Sequence, residues 1–185
     1  FKEVYNLSGG IKAWASKKAV GKEDLGLSLF SGKESTAETL VVAYSLEAGL
    51  RDFYLSMAAE VDDVKTTALF RKLSDIEVKH QDRIFGEYMR VSGDSMDRAA
   101  FEKQMVAPQM EGGLSTDEYL AIYQPDLTVP LEVISLAMAI EAQALDLYQR
   151  AGDRAEKEEN KIALLRIADE ERAHLAQLGR LVESL

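Results

Sequence analysis

The sequence predicts an all-α protein whose main body is a four-helix bundle. Three observations carry this. Two proline-free stretches, 36–91 and 131–185, hold apolar residues at helical spacing. The two stretches repeat each other at a shift of 94 residues, which lays Glu47 on Glu141, Tyr54 on Tyr148, Asp75 on Asp169, Glu77 on Glu171 and His80 on His174. All 3 prolines fall between the stretches, together with Gly93, Gly112 and Gly113, and mark a long connection.

Taken in order, residues 1–35 are expected to form a short N-terminal remnant and a linker, and 36–185 the bundle. In the remnant, Val4 and Leu7 suit the end of a strand, the glycines Gly9 and Gly10 a turn, and Ile11 and Trp14 one face of a helix. The stretch from Lys17 to Lys33 combines lysines with Gly21, Gly26 and Gly32 and reads as the linker. The first hairpin follows. If Glu47 and Glu77 meet at one height on antiparallel helices, the turn falls near residue 62, where Asp62 and Asp63 are good helix N-caps. Ser92 to Pro130 then forms a crossover with short helical pieces. In the second hairpin the same reasoning puts the turn near 156, with Gly152 as C-cap and Asp153 as N-cap just before it.

The chain has 2 histidines, and each follows a Glu by three residues and another Glu by 33: Glu77 and Glu47 for His80, Glu171 and Glu141 for His174. About one residue in ten is Glu, so chance gives four such coincidences about once in ten thousand. The faces around these residues are apolar. Glu141 shares its face with Ile134, Ala137, Ala144 and Tyr148, and Glu47 with Leu40, Ala43, Tyr44 and Leu50. Buried charge is expensive unless it is paired or binds metal. Four carboxylates at one height repel each other, and two divalent cations would neutralise them. Di-iron and di-manganese bundles use this arrangement, with one Glu from each of two helices and Glu-x-x-His from each of the others. Glu47, Glu77, His80, Glu141, Glu171 and His174 are therefore the expected metal ligands. Oxygen-rich sites with one nitrogen per metal suit two irons, with manganese or a mixed pair as alternatives. Tyr54 and Tyr148, two turns beyond Glu47 and Glu141, are read either as core tyrosines or as hydrogen-bond partners of metal-bound carboxylates. Asp75 and Asp169 read as exposed helix acids before they read as braces for a histidine.

Composition sets limits. A net charge of -10 with no basic stripe argues against nucleic acid. With 0 cysteines, the chain has no disulfide, thiolate zinc site, iron–sulfur cluster or cysteine nucleophile of its own. No apolar run approaches the roughly 18–20 residues of a membrane span, so no membrane partner is expected. The opening segment has no apolar signal-peptide core, which gives a cytoplasmic expectation.

The doubled pattern over 36–185 resembles the ferritin-like superfamily, in particular its rubrerythrin and bacterioferritin branches. The resemblance implies a left-handed bundle with a long crossover between its second and third helices. It also implies redox chemistry at a di-iron site. Rubrerythrins typically add a Glu where this chain has Ala144, and offer Glu where it has His174, so the ligand set is closer to bacterioferritin. Val78 stands where bacterioferritin would have its haem-binding Met, and rubrerythrin's cysteine-ligated rubredoxin domain is absent. Separately, the run Val4-Tyr5-Asn6-Leu7-Ser8-Gly9-Gly10-Ile11-Lys12-Ala13-Trp14 resembles the last strand and helix of a rhodanese domain. The nucleophilic cysteine of such a domain would lie upstream of Phe1, so no sulfurtransferase activity is expected of this chain.

Three functions follow as expectations. The first is an oxidoreductase that reacts with peroxide or dioxygen, drawing on an external electron donor. The second is non-catalytic iron binding, buffering or sensing. The third is a di-iron hydroxylase, which needs an apolar access pocket beside the metals. A homodimer is the expected assembly.

Overall fold

The computed structural model describes residues 26–93, 95–105 and 114–183. All regular structure among them is helical. A single 3-10 turn, Leu27–Leu29, precedes α1 (Thr36–Glu60), α2 (Val64–Ser92), α3 (Arg98–Glu102), α4 (Thr116–Tyr123), α5 (Pro130–Arg154) and α6 (Glu158–Glu183). The four long helices form the bundle, as the two periodic stretches predict. No helix among the described residues is long and apolar enough to cross a membrane.

Local sequence sets the helix ends. Ser35 caps α1 by a capping box. Its hydroxyl accepts from the Glu38 amide at 3.2 Å, and its own amide donates to Glu38 Oε2 at 2.7 Å. Asp63 caps α2, its Oδ1 accepting from the Thr66 amide at 2.8 Å, so the first turn falls where expected. Pro130 opens α5, where its missing N–H costs nothing. The second turn also falls near residue 156, but Gly152 and Asp153 are not its caps: both belong to the last turn of α5. Gly152 serves a different purpose. A Cβ there would meet Leu165 Cδ2 at 3.3 Å and Leu164 Cβ at 3.7 Å, so the glycine lets α6 approach closely.

The bundle ends are defined by contacts between distant residues. The Thr36 hydroxyl donates to Asn160 Oδ1 at 2.6 Å, which places the starts of α1 and α6 side by side. The same end holds the last turns of α2 and α5. There Phe101 of α3 packs on Tyr44, Phe85 and Tyr88, and Tyr44 donates to Glu102 Oε1 at 2.6 Å. At the opposite end α4 buries Tyr119 among Phe53, Val133 and Ile134. The crossover thus travels the length of the bundle. It also explains why the first half of α1 is buried nearly all round, its run from Thr39 to Glu47 being wholly inside.

One part of the linker reading is corrected. From Gly26 onward the segment is packed rather than free, with Leu27 3% and Phe30 2% exposed in the core beside α5. Each such burial is worth about 1.5–3 kcal/mol, which outweighs the local glycine signal. Gly32 has a φ of 86°, and its carbonyl accepts from the Glu156 amide at 2.9 Å, tying the segment to the α5–α6 turn. The segment 1–14, with its resemblance to a rhodanese end, lies outside the described residues.

The core falls into two apolar clusters. One contains Leu40, Tyr44, Leu46, Ile84, Ala144, Tyr148, Leu164 and Ile167, and the other Leu50, Tyr54, Phe70, Leu73, Ile134, Ile140 and Leu178. Each draws on all four long helices. The boundary between them lies at Glu47, Glu77, Glu141 and Glu171, which are the positions that position the site.

Candidate metal centre

All six residues singled out by spacing meet in this boundary layer, near the middle of their helices. Glu47 comes from α1, Glu77 and His80 from α2, Glu141 from α5, and Glu171 and His174 from α6. They are nearly sealed from water: Glu47 is 0% exposed, Glu77 and Glu171 1%, Glu141 2%, His80 6% and His174 7%.

They form two like groups. His80 Nδ1 lies 2.9 Å from Glu47 Oε2 and 3.2 Å from Glu77 Oε2. His174 Nδ1 lies 3.3 Å from Glu171 Oε2 and 3.4 Å from Glu141 Oε2. The two imidazoles stack, 4.1 Å between centroids and 11° apart in plane, with their Nε2 atoms at 2.7 Å. Ligand atoms of Glu47, Glu77 and His80 lie within 4.8 Å of one another, as do those of His80, Glu171 and His174.

Charge in this layer is under strain. Burial pushes the Glu77 and Glu171 carboxyls well above the usual range, and repulsion from Glu47 adds to it in both. Burial likewise raises Glu141, to about 8. Glu47 goes the other way: burial opposes its ionisation, but the His80 imidazole beside it more than compensates and leaves its carboxyl below the usual value. His80 is the counterpart. Burial alone would lower it, yet Glu47 and Glu77 hold its imidazolium and push it up to about 11. Without a metal the layer thus keeps protons that exposed carboxylates would release.

A direct test of fit comes from the leftover oxygens. Glu47 Oε1, Glu77 Oε1, Glu141 Oε2 and Glu171 Oε1 are each buried without a hydrogen-bond partner. Buried carboxylate oxygens normally find donors. One such atom on each of four converging carboxylates, beside two imidazole nitrogens, is the donor set that hard or borderline divalent cations take. The groups are compatible with a metal site.

The flanking tyrosines divide across the layer. Tyr54 belongs to one apolar cluster, packed on Phe53 and Phe70, and Tyr148 to the other, packed on Phe30. Both are 0% exposed. Asp75 and Asp169 are exposed and do not brace the histidines; Asp169 pairs with Arg172 instead. Sequence reasoning missed the seam between α2 and α6. In its half nearer the crossover's start, Arg83 pairs with Glu170, and Arg166 Nη1 lies 3.7 Å from Glu87 Oε1. In its other half no ion pair bridges the two helices among the described residues, and a cleft of about 270 Å³ reaches Glu141 and His174. Its walls include Lys72 and Arg180, whose spacing from the ligands carries no periodic signal that sequence could reveal.

A solved structure of a hypothetical protein from Pyrococcus furiosus is 24% identical, with a TM-score of 0.48, over 80% of this chain and 89% of that one. No curated protein matches the chain. The rubrerythrin family model matches residues 38–182, which takes in all six layer residues and the whole crossover. On that match the chain belongs to the rubrerythrin family.

Proposed function

We propose that the chain binds two iron ions and acts as a rubrerythrin-like oxidoreductase that reduces peroxide or dioxygen. The observation that carries this is the pair of buried histidines, each within 3.4 Å of two glutamates, with an oxygen lacking a hydrogen-bond partner on every carboxylate. Glu47, Glu77 and His80 would hold one ion, and Glu141, Glu171 and His174 the other. Two ferrous ions would together supply the two electrons that, with two protons from solvent, reduce one hydrogen peroxide to two waters. The chain's own residues do the rest. Four carboxylates offset the cationic charge, the helix backbones fix the ligand positions, and the two apolar clusters shield the layer from water outside the cleft between α2 and α6. An external donor would restore the reduced state. Two copies would associate, a reading supported by the exposed apolar side chains Leu55, Val64 and Leu131 and checked by light-scattering mass.

The test is stopped-flow absorbance on ferrous-loaded protein mixed with hydrogen peroxide or oxygenated buffer, with elemental analysis of the same sample. About two irons per chain and a rapid oxidation phase support the proposal. Two irons without oxidation would leave iron buffering as the function, and no iron after anaerobic loading would remove both readings.

A further inference from the structure

We infer that the cleft between α2 and α6 is a binding site for a small organic anion, a carboxylate with a short apolar body. The argument begins with the seam. One half is bridged by the Arg83–Glu170 and Arg166–Glu87 pairs, with a separate opening beside the start of α1, while the other half carries no ion-pair bridge among the described residues and stands open down to Glu141 and His174. The opening measures about 270 Å³. Peroxide or a single water needs only a small part of that, and pockets for larger, drug-sized molecules begin just above it, at about 300 Å³. The space therefore suits a molecule of several carbon atoms.

Its lining sets the chemistry. Leu73 and Ile76 from α2 face Leu178 and Leu181 from α6 and supply an apolar wall. Lys72 and Arg180, one from each helix, stand exposed on the same lining. Neither forms an ion pair among the described residues. Asp75 and Glu183 lie one turn away on the same helices and are not paired with them. Lys72 and Arg180 thus present two cations to one cleft with no acidic partner across it among the described residues. They repel incoming metal ions and attract a carboxylate, and the Arg180 guanidinium suits its planar group. A monoanion held there directs its apolar body along the leucines toward Glu141 and His174. Binding depends only on the cleft; reaction of the bound molecule would rest on the redox reading above.

The experiment is a calorimetric titration of the purified protein with hexanoate, hexanol and hexylammonium, with metal content measured on the same samples. Hexanoate should bind best of the three. The Lys72→Ala/Arg180→Ala variant should bind it roughly tenfold more weakly with unchanged metal content. Ile76→Trp, which fills the cleft, should abolish binding while the helical circular dichroism persists. Equal binding of hexanoate and hexylammonium, wild-type affinity in the double variant, or no hexanoate binding at all would overturn the inference. Hexanoate binding to protein that takes up no iron would leave the cleft standing and remove the redox reading alone.

Discussion

Replacing Glu141 with Gln should shift stability in opposite directions in the metal-free and the iron-loaded protein. Burial raises the Glu141 carboxyl from 4.5 to about 8, and repulsion from Glu77 and Glu47 contributes. A raised folded-state value means that the linked stability is complete below the unfolded value and is lost as pH climbs through the folded one. At pH 7 the metal-free folded protein thus holds a proton that the unfolded chain has already released. The gap from the unfolded value is about two and a half units, or roughly 3 kcal/mol at about 1.4 kcal/mol per unit. Glutamine has nearly the same shape and no proton to keep. Chelator-treated E141Q should therefore be roughly 3 kcal/mol more stable than wild type at pH 7, with the difference gone near the unfolded value. Iron should invert the order, because an amide oxygen is a poorer ligand than a carboxylate and the bound ion stabilises wild type by mass action. Guanidinium unfolding followed by circular dichroism, run at mildly acidic and neutral pH with and without iron, reads both effects. Equal stability of the two metal-free proteins at every pH would refute a buried, ionisable carboxyl at this position.

Four further substitutions test the frame around the layer. Phe101→Ala removes a 0% exposed ring that lies 4.9 Å from Tyr44 and 4.5 Å from Tyr88, and should cost about 3–5 kcal/mol in urea unfolding. Two glycines should respond with opposite signs in thermal melts. Gly179→Ala, near the C-terminal end of α6 with nothing within 4 Å of the new Cβ, should gain up to about 1 kcal/mol. Gly32→Ala should lose about 1–3 kcal/mol, since its φ is +86° and the new Cβ would stand 2.6 Å from the Arg154 carbonyl oxygen. Asp63→Ala removes the side-chain cap of α2 and should cost about 1 kcal/mol by the same melts.

The parts of the molecule that sequence reveals are those with a periodic or repeated signature. The four long helices, the turn at Asp63 and the meeting of six ligand-type residues all follow from apolar spacing and from the 94-residue repeat. The errors occur where tertiary contact overrides local preference. Gly152 reads as a C-cap because glycine usually ends a helix. Here its lack of a Cβ serves the approach of Leu164 and Leu165, partners that no local pattern names. Leu27 and Phe30 lie in a stretch whose glycines and lysines suggest a free linker, but they enter the core against residues more than a hundred positions away. The cleft was hidden for a related reason. Lys72 and Arg180 look like any exposed helix cations until α2 and α6 are set side by side.

The division of the core into two clusters has a mechanical consequence. A polar layer at the end of a bundle could take up water by fraying, one helical turn at a time. This one lies between two apolar blocks, each of which grips all four helices. Outside the cleft, hydrating it means prising apart helices that are clamped above and below at once. The spacing of the carboxylates is thus imposed from outside the layer, and four groups that repel each other are held at ligand distance before any ion arrives.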